Sequence, residues 1–352
     1  MSPRGFGFRR SDWLVLGAVL ALGLLGPETA SAQAQRAAAP IRVSYQPGTY
    51  WSLPFLVAIE QGFWAQEGLK PELLPFPYGL PQVDAGAQDA WDVGGMGSVP
   101  AVLGASRYGL LTIGITNDES MANAVMVRGD AAGTWLKRPA RDLRRKTVMV
   151  TRSSTGEYVL LAYLKSLKLT EKDVKVLYMD QPAIVKAFAG TGGDVFVLWA
   201  PYLYDALARG GKVLANGRTA GVTVPGALVA VPRFAREHPD AVARFLRVYL
   251  KALEWQRANP AAALDILAKY NEQVGIKLDK RWFAESFKTR QVWGIAGQLG
   301  LLARPQGQPS IADGWFSEVG AHFTEAGALK ANPDPKTYLT DEYMKRAAGL
   351  DK

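Results

Sequence analysis

The chain has no cysteine and only two histidines, His238 and His322, among 352 residues. The absence of cysteine excludes disulfides, thiolate metal sites, thiol nucleophiles and a lipid-modified cysteine. Each histidine stands alone, one in Arg236-Glu237-His238-Pro239 and one between Ala321 and Phe323. Neither forms a zinc site, and neither marks a catalytic base. Enzyme signatures are also missing. Gly95-Met96-Gly97 lacks the third glycine of a dinucleotide turn, because Pro100 occupies that place. No nucleophile elbow, P-loop or H-E-x-x-H occurs. No cofactor and no metal is expected.

Charge of one sign is not concentrated. Lys and Arg number 41 against 32 Asp and Glu, a net charge of +9. The basic residues are scattered apart from a cluster over 137–146, near a surface loop. Nucleic-acid binding needs basic charge on one face with interleaved aromatics, so nucleic acid is not an expected partner. A modest pull on anionic ligands fits the excess. There is no low-complexity tract and no fixed-period repeat.

The apolar run 13–25 falls short of the roughly 20 residues that span a bilayer. It follows Arg4, Arg9 and Arg10 and precedes Ala30-Ser31-Ala32. Basic start, apolar core and small-x-small site make residues 1–32 a secretory signal peptide cleaved near Ala32. The mature protein is expected to be periplasmic and soluble, with a short disordered leader over 33–40.

The rest is long for one core and natural for two domains. Ile41-Arg42-Val43-Ser44-Tyr45 alternates as a strand does. Ser52 is placed to cap a helix over 53–67, and 69–74 reads as the next strand. This strand–helix–strand order signals a parallel sheet. It continues with a helix over 80–88, a strand over 91–96, a helix from Ser98 or Pro100 to about 106, and strands over 110–116 and 122–128. A second unit opens with the strand 147–150. Ser154 and Glu157 then stand at capping-box spacing before a leucine-rich helix. Strands over 174–178, 195–198 and 213–215 alternate with helices over 182–189 and from Pro201. The extended segment 221–231 returns the chain to the first unit, and helices are expected over 239–257, 260–270 and 280–293. The fold class is α/β, two lobes joined by two extended crossings, with a helical C-terminal region. Ligand should sit between the lobes, at the carboxyl ends of the strands.

Three strand-to-helix turns could hold a small oxyanion on hydroxyls and unpaired helix N–H groups: Thr49-Tyr50-Trp51-Ser52, Gly97-Ser98 and Ser153-Ser154-Thr155-Gly156. The same serines also serve as ordinary helix caps. Tyr45, Tyr50, Trp51, Trp199 and Tyr202 lie near these turns, as pocket walls or as core. Glu157 is expected to answer the Ser154 cap. Asn117, Asp118 and Glu119 read as a solvated turn, and Asp180 is a further acid in reach.

Several runs resemble the substrate-binding proteins of bacterial ABC importers of the nitrate/sulfonate/taurine type, related to pyrimidine-precursor binders. They are Tyr45-Gln46, Phe55-Leu56-Val57-Ala58-Ile59-Glu60-Gln61-Gly62-Phe63-Trp64, Glu67-Gly68-Leu69, Asp92-Val93-Gly94-Gly95-Met96-Gly97-Ser98, Phe196-Val197-Leu198-Trp199-Ala200-Pro201-Tyr202 and Phe234-Ala235-Arg236-Glu237-His238-Pro239. The likeness covers nearly all of 41–300, through the order and spacing of short motifs. It implies a type II periplasmic-binding-protein fold, with lobe 1 over 41–127 plus 222–352 and lobe 2 over 128–221. It implies capture of a small organic anion, an aliphatic sulfonate or taurine-like compound, and delivery to an ABC permease with its ATPase by a monomer, without catalysis. Ligand contacts carry over to Tyr50, Trp51, Ser52, Gly97, Ser98, Ser154 and Thr155, with Trp199, Asn117 and Asp180 as further candidates. Ala200 departs from taurine-type members, which place an acid after the tryptophan. A ligand amine would then need Asp118, Glu119 or Asp180. The polar tail after Gly300 has no counterpart in these motifs. Alternatives are a heteroaromatic pyrimidine precursor as ligand, or an enzyme like the pyrimidine synthases of thiamine biosynthesis. The latter use a cysteine-rich motif that this chain lacks.

Overall fold

The computed structural model describes residues 38–135 and 137–350. The expected signal peptide and the leader up to residue 37 lie outside the described residues. Among the described residues, ten strands form two five-stranded sheets. The first contains β1 (Ala39–Tyr45), β2 (Leu69–Pro75), β3 (Val93–Gly97), β4 (Leu111–Asp118) and the last strand of the chain, Pro225–Ala230. The second contains β5 (Asn123–Val127), β6 (Thr147–Val150), β7 (Lys175–Tyr178), β8 (Val195–Trp199) and β9 (Lys212–Asn216). With Pro225–Ala230 as β10, the orders are β2-β1-β3-β10-β4 and β7-β6-β8-β5-β9.

The two sheets follow one plan. Each has three parallel strands and then an antiparallel fourth, β10 or β5, that enters directly after a crossing from the other sheet. In both, the third and fourth strands are buried at every position. This is why their sequences (VGGMG, PGALVA, VFVLW, NAVMV) read as continuous apolar runs without alternation: helices cover both faces.

β5 was expected within lobe 1, but it pairs with β8 and β9 in the second sheet. The crossings therefore run over 119–122 and 217–224, short of the expected 122–128 and 222–230. They are tied to each other by Glu119 N–H to Val224 O (2.8 Å), Val224 N–H to Ser120 Oγ (3.0 Å) and Gly217 N–H to Ser120 O (2.7 Å). The leader also ends earlier than expected. Ala39 and Pro40 already pair with Leu69 and Lys70. Pro40 is tolerated because β3 joins β1 only from Val43 onward, so its missing N–H faces no partner strand.

The helix expected over 53–67 is two helices, Leu53–Glu60 and Phe63–Gln66, after a 3-10 turn at Tyr50–Ser52. Gly62 breaks it by taking a left-handed conformation, φ 68°. The later helices fall close to expectation at Pro239–Ala258, Pro260–Gln273 and Lys280–Thr289. Phe245 and Tyr249 of the first pack on Phe55, with ring centroids 5.8 and 5.4 Å apart, which locks this helix onto Leu53–Glu60.

The C-terminal segment seals the outer edge of β4. Thr112 N–H donates to Tyr338 O (2.8 Å), and Thr340 N–H to Thr112 O (3.0 Å). The side-chain amide of Gln298 pairs with both backbone groups of Ile115, at 2.9 and 2.5 Å. Asp118 N–H donates to Gln291 O (2.9 Å). An unpaired strand edge is thereby covered from end to end.

Candidate ligand-binding cleft

A cleft opens where the carboxyl ends of β1, β3 and β4 face those of β6 and β8. From the first sheet it is lined by Gln46 and Thr49, Trp51, Gly79, Gly97 and Pro100. Glu119 lines it at the first crossing, and Ser154, Thr155 and Trp199 line it from the second sheet. The cavity itself is only about 20 Å³, far below the roughly 300 Å³ and more of ligand pockets, so the lining residues lie close together across it. Three helices of eight residues or more begin at this lining: Gly79–Gly86, Ser98–Tyr108 and Thr155–Ser166. Their first-turn N–H groups have no intrahelical partner, and their dipoles present partial positive charge. Among the described residues, no Lys or Arg lines it. Such a site suits a small anion held by oriented N–H groups rather than by formal charge.

The turn after β1 is braced from within. Thr49 Oγ1 and Ser52 Oγ both donate toward Gln46 O (2.8 and 2.9 Å) and lie 2.8 Å from each other. Gln46 donates to Gln82 Oε1 (3.0 Å), while Gln82 donates to Ser44 Oγ (2.9 Å) and Gly95 O (2.8 Å). Buried amides thus hold β1, β3 and helix Gly79–Gly86 at one register. The two halves touch at Gly97, where an added Cβ would lie 2.7 Å from Thr155 Cγ2. Thr155 is held there by its hydroxyl bond to Asn123 Oδ1 (2.9 Å).

At the third turn Ser154 caps helix Thr155–Ser166, accepting from Glu157 N–H (3.1 Å) and donating to Thr151 O (2.6 Å). Glu157 reaches back as its spacing suggests, but to Ser153 N–H (2.5 Å) rather than to the cap's own N–H. Ser153 has φ 54°, so the turn carries backbone strain beside the cleft. Burial pushes the Glu157 carboxyl above its ordinary value, and the Ser153 bond opposes that shift.

The expected site residues divide into two groups. Trp51, Gly97, Ser154, Thr155 and Trp199 line the cleft together. Ser98 opens its helix next to Gly97, fully buried, with a hydroxyl that has no partner. Ser52 lies behind the lining as a turn brace and makes no side-chain cap bond. Tyr50 turns away, its ring edge-on to Phe287 at 5.4 Å and under the Arg290 guanidinium at 5.0 Å. Asp180 is exposed and caps helix Gln181–Ala189 through Ala183 N–H (2.8 Å).

The solvated turn expected at 117–119 is a correction. Asn117 and Glu119 are buried, because the second crossing and the C-terminal segment close over them. Asn117 donates to Asp118 O (3.2 Å) and Glu119 Oε1 (3.3 Å), leaving its own oxygen without a partner. Glu119 also meets Arg290, which sits 171 residues away in sequence, with Nε to Oε1 at 3.3 Å. Sequence reasoning missed Gly79, Pro100 and Arg290. Thr49 stood in a turn already read as able to hold an anion, and Gln46 in a run that carries the family resemblance, but neither was named as a ligand contact. Burial alone would lower the Arg290 pKa, but the neighbouring Tyr204 hydroxyl and the Glu119 carboxylate hold it above its ordinary value.

Two like-ordered α/β sheets joined by paired crossings, with a cleft at their strand ends, define a type II periplasmic-binding-protein fold. The chain belongs to the NMT1/THI5-like family, whose model matches residues 51–263. The taurine-binding periplasmic protein of Escherichia coli (strain K12) is 29% identical over 245 residues, 68% of this chain and 72% of the relative. Among solved structures, the alkanesulfonate-binding protein SsuA from Xanthomonas axonopodis pv. citri, bound to MOPS, superposes with a TM-score of 0.69 at 19% identity, covering 86% of this chain and 98% of that one. The desulfurization enzyme DSZB shares the fold with a TM-score of 0.59 at 14% identity, over 89% of this chain and all of that one (100%).

Proposed function

We propose that this chain is the exported solute receptor of an ABC importer, closing two lobes around a small aliphatic sulfonate and presenting it to a membrane permease. The observation that carries this reading is the convergence of three helix N-termini on a small cleft without lysine or arginine in its lining. A sulfonate is a permanent, weakly basic anion with three acceptor oxygens, matched by several fixed N–H donors. The taurine-binding relative supports the same ligand class. Export rests on the N-terminal pattern of residues 1–32 and on the periplasmic relative. Binding without conversion is favoured because no thiol exists in the chain and neither histidine reaches the lining. The lobes follow the sheets, 39–118 with 225 onward, and 123–216.

A thermal-shift panel on the mature protein tests this, with alkanesulfonates, taurine, nitrate, bicarbonate, amino acids and pyrimidines. A sulfonate at 100 times its Kd adds about 2.7 kcal/mol, a rise in Tm of several degrees. A response to pyrimidines alone would move the ligand to the Trp51 and Trp199 faces and end the sulfonate reading.

A further inference from the structure

Besides the crossings, a further stretch of chain bridges the two halves. Helices Pro260–Gln273 and Lys280–Thr289 follow β10, so they belong to the first half by connection. They are anchored there on both sides of the link between them. Lys269 Nζ reaches Glu60 Oε1 (2.7 Å), Phe287 sits edge-on to Tyr50 (5.4 Å), and Gln291 O accepts from Asp118 N–H (2.9 Å). Between these anchors the chain lies on the second half. Leu278 and Trp282 pack against the apolar cluster that includes Met126, Ile184 and Phe196. The Trp282 ring stacks on Tyr204, with centroids 6.4 Å apart and planes at 23°. The buried Tyr204 hydroxyl accepts from Ser286 Oγ (3.2 Å) and Arg290 Nη1 (3.4 Å). Tyr204 follows closely on Trp199, which lines the cleft. Pro201, between them, meets the turn after β1: an added Cβ at Gly48 would lie 3.3 Å from Pro201 Cγ and 3.2 Å from Ile276 Cδ1. A rotation that parts Gly48 from Pro201 must also draw 276–290 off Tyr204, because that segment is held to the first half. It would expose an aromatic pair and strand buried hydroxyls, both of which oppose opening. Another bridge, Lys165 to Glu325 (2.8 Å), is exposed at both ends and contributes little.

We propose that residues 276–290 form a clasp that holds the lobes shut, and that Tyr204 is the positioning residue through which the clasp controls ligand release. This rests on the two-lobe closure proposed above, but not on which anion is bound. Tyr204 touches no ligand. It sets how often the closed cleft opens. A bound anion leaves only through an open cleft, so weakening the clasp speeds dissociation. The ligand-free protein then also spends more of its time open.

Stopped-flow release of taurine and ethanesulfonate from the mature protein tests the clasp. Tyr204→Phe keeps the ring on Trp282 and removes only the hydroxyl with its two long bonds. Release should quicken about three- to tenfold. Trp282→Ala removes the stack and should quicken it more than about tenfold, with Trp282→Phe recovering part of the loss. Wild-type release rates in Tyr204→Phe and Trp282→Ala overturn the proposal whatever their Tm, since a merely structural role would lower Tm and leave release alone. Small-angle scattering of the ligand-free proteins gives a reading that needs no sulfonate. Both variants should show a larger radius of gyration than wild type, with helix content unchanged by circular dichroism. An equal radius overturns the clasp even where both sulfonates bind. If Trp282→Ala does not fold, Tyr204→Phe decides alone. If neither sulfonate binds and the radius still rises, the sulfonate reading fails and the clasp stands.

Discussion

Ser98 and Ser154 sit at matching turns, one in each half, yet their hydroxyls differ. Ser154 Oγ has both a donor and an acceptor within the protein, whereas Ser98 Oγ is buried with neither. Ser154→Ala should therefore cost the ligand-free protein about 1 kcal/mol, the usual worth of a helix cap. Ser98→Ala should stay within about 0.5 kcal/mol, because it removes an unsatisfied group. Urea unfolding of the two variants checks this, and equal losses would refute the distinction. Arg290→Met is the severe case. It strands Glu119 as an uncompensated buried charge, a loss of about 3–5 kcal/mol by analogy with broken buried pairs. A Tm within a degree or two of wild type would show that the pair is not coupled as its geometry indicates. The turns holding the serines were legible because strand-to-helix patterns and capping spacing are local. The Glu119–Arg290 pair was not, since nothing local distinguishes a buried acid from a solvated one.

At the scale of elements, the C-terminal segment has a structural task that its sequence hides. It covers β4 and anchors there through Arg304 and Asp313. Arg304 donates to both Asp313 oxygens (2.7 and 2.6 Å) and to Leu339 O (2.8 Å), while Asp313 completes a capping box with Ser310 for helix Ile311–Glu325. Burial alone would raise the Asp313 pKa, but Arg304 and the Ser310 bonds outweigh it and hold the carboxyl below its ordinary value. A carboxyl depressed on folding contributes stability above its unfolded pKa and loses it as the pH falls further. The Tm of wild type should then drop as pH falls below about 4, the ordinary aspartate value. Asp313→Asn should start lower at pH 7 and show a shallower acid decline. Parallel Tm–pH curves would exclude Asp313 as a contributor. The Ser310-x-x-Asp313 spacing is a local signal. What it anchors is visible only once Leu339 and β4 are in place.

For the whole molecule, the paired crossings over 119–122 and 217–224 are the natural hinge, and Gly97 against Thr155 is where the halves meet. Small-angle scattering should show the radius of gyration falling when a bound sulfonate is added. An unchanged value would argue for a rigid cleft. Gly97→Ala probes the contact itself. The backbone at Gly97 has φ −70°, which alanine adopts freely, so the substitution acts only through its methyl group on Thr155. Overpacking costs about 1–3 kcal/mol, so ligand affinity should fall about tenfold or more, with helix content unchanged by circular dichroism. Wild-type affinity in this variant would mean that the halves do not meet there in the bound state.

What the sequence determined by itself was whatever depends on near neighbours along the chain. The alternation of strands and helices, the turns that open the cleft helices and the return segment of β10 all follow from periodicity, caps and breakers within a few residues. The absence of cysteine and the scarcity of histidine likewise narrowed the chemistry before any fold was known. Tertiary structure decided what depends on partners far apart in sequence. It moved β5 into the second sheet, because strand pairing is chosen across the molecule and an apolar run is equally suited to either core. It turned Tyr50 away from the cleft and covered β4 with residues from 291 to 340. It also buried Glu119 against Arg290, and burial is set by what packs over a residue rather than by its own side chain.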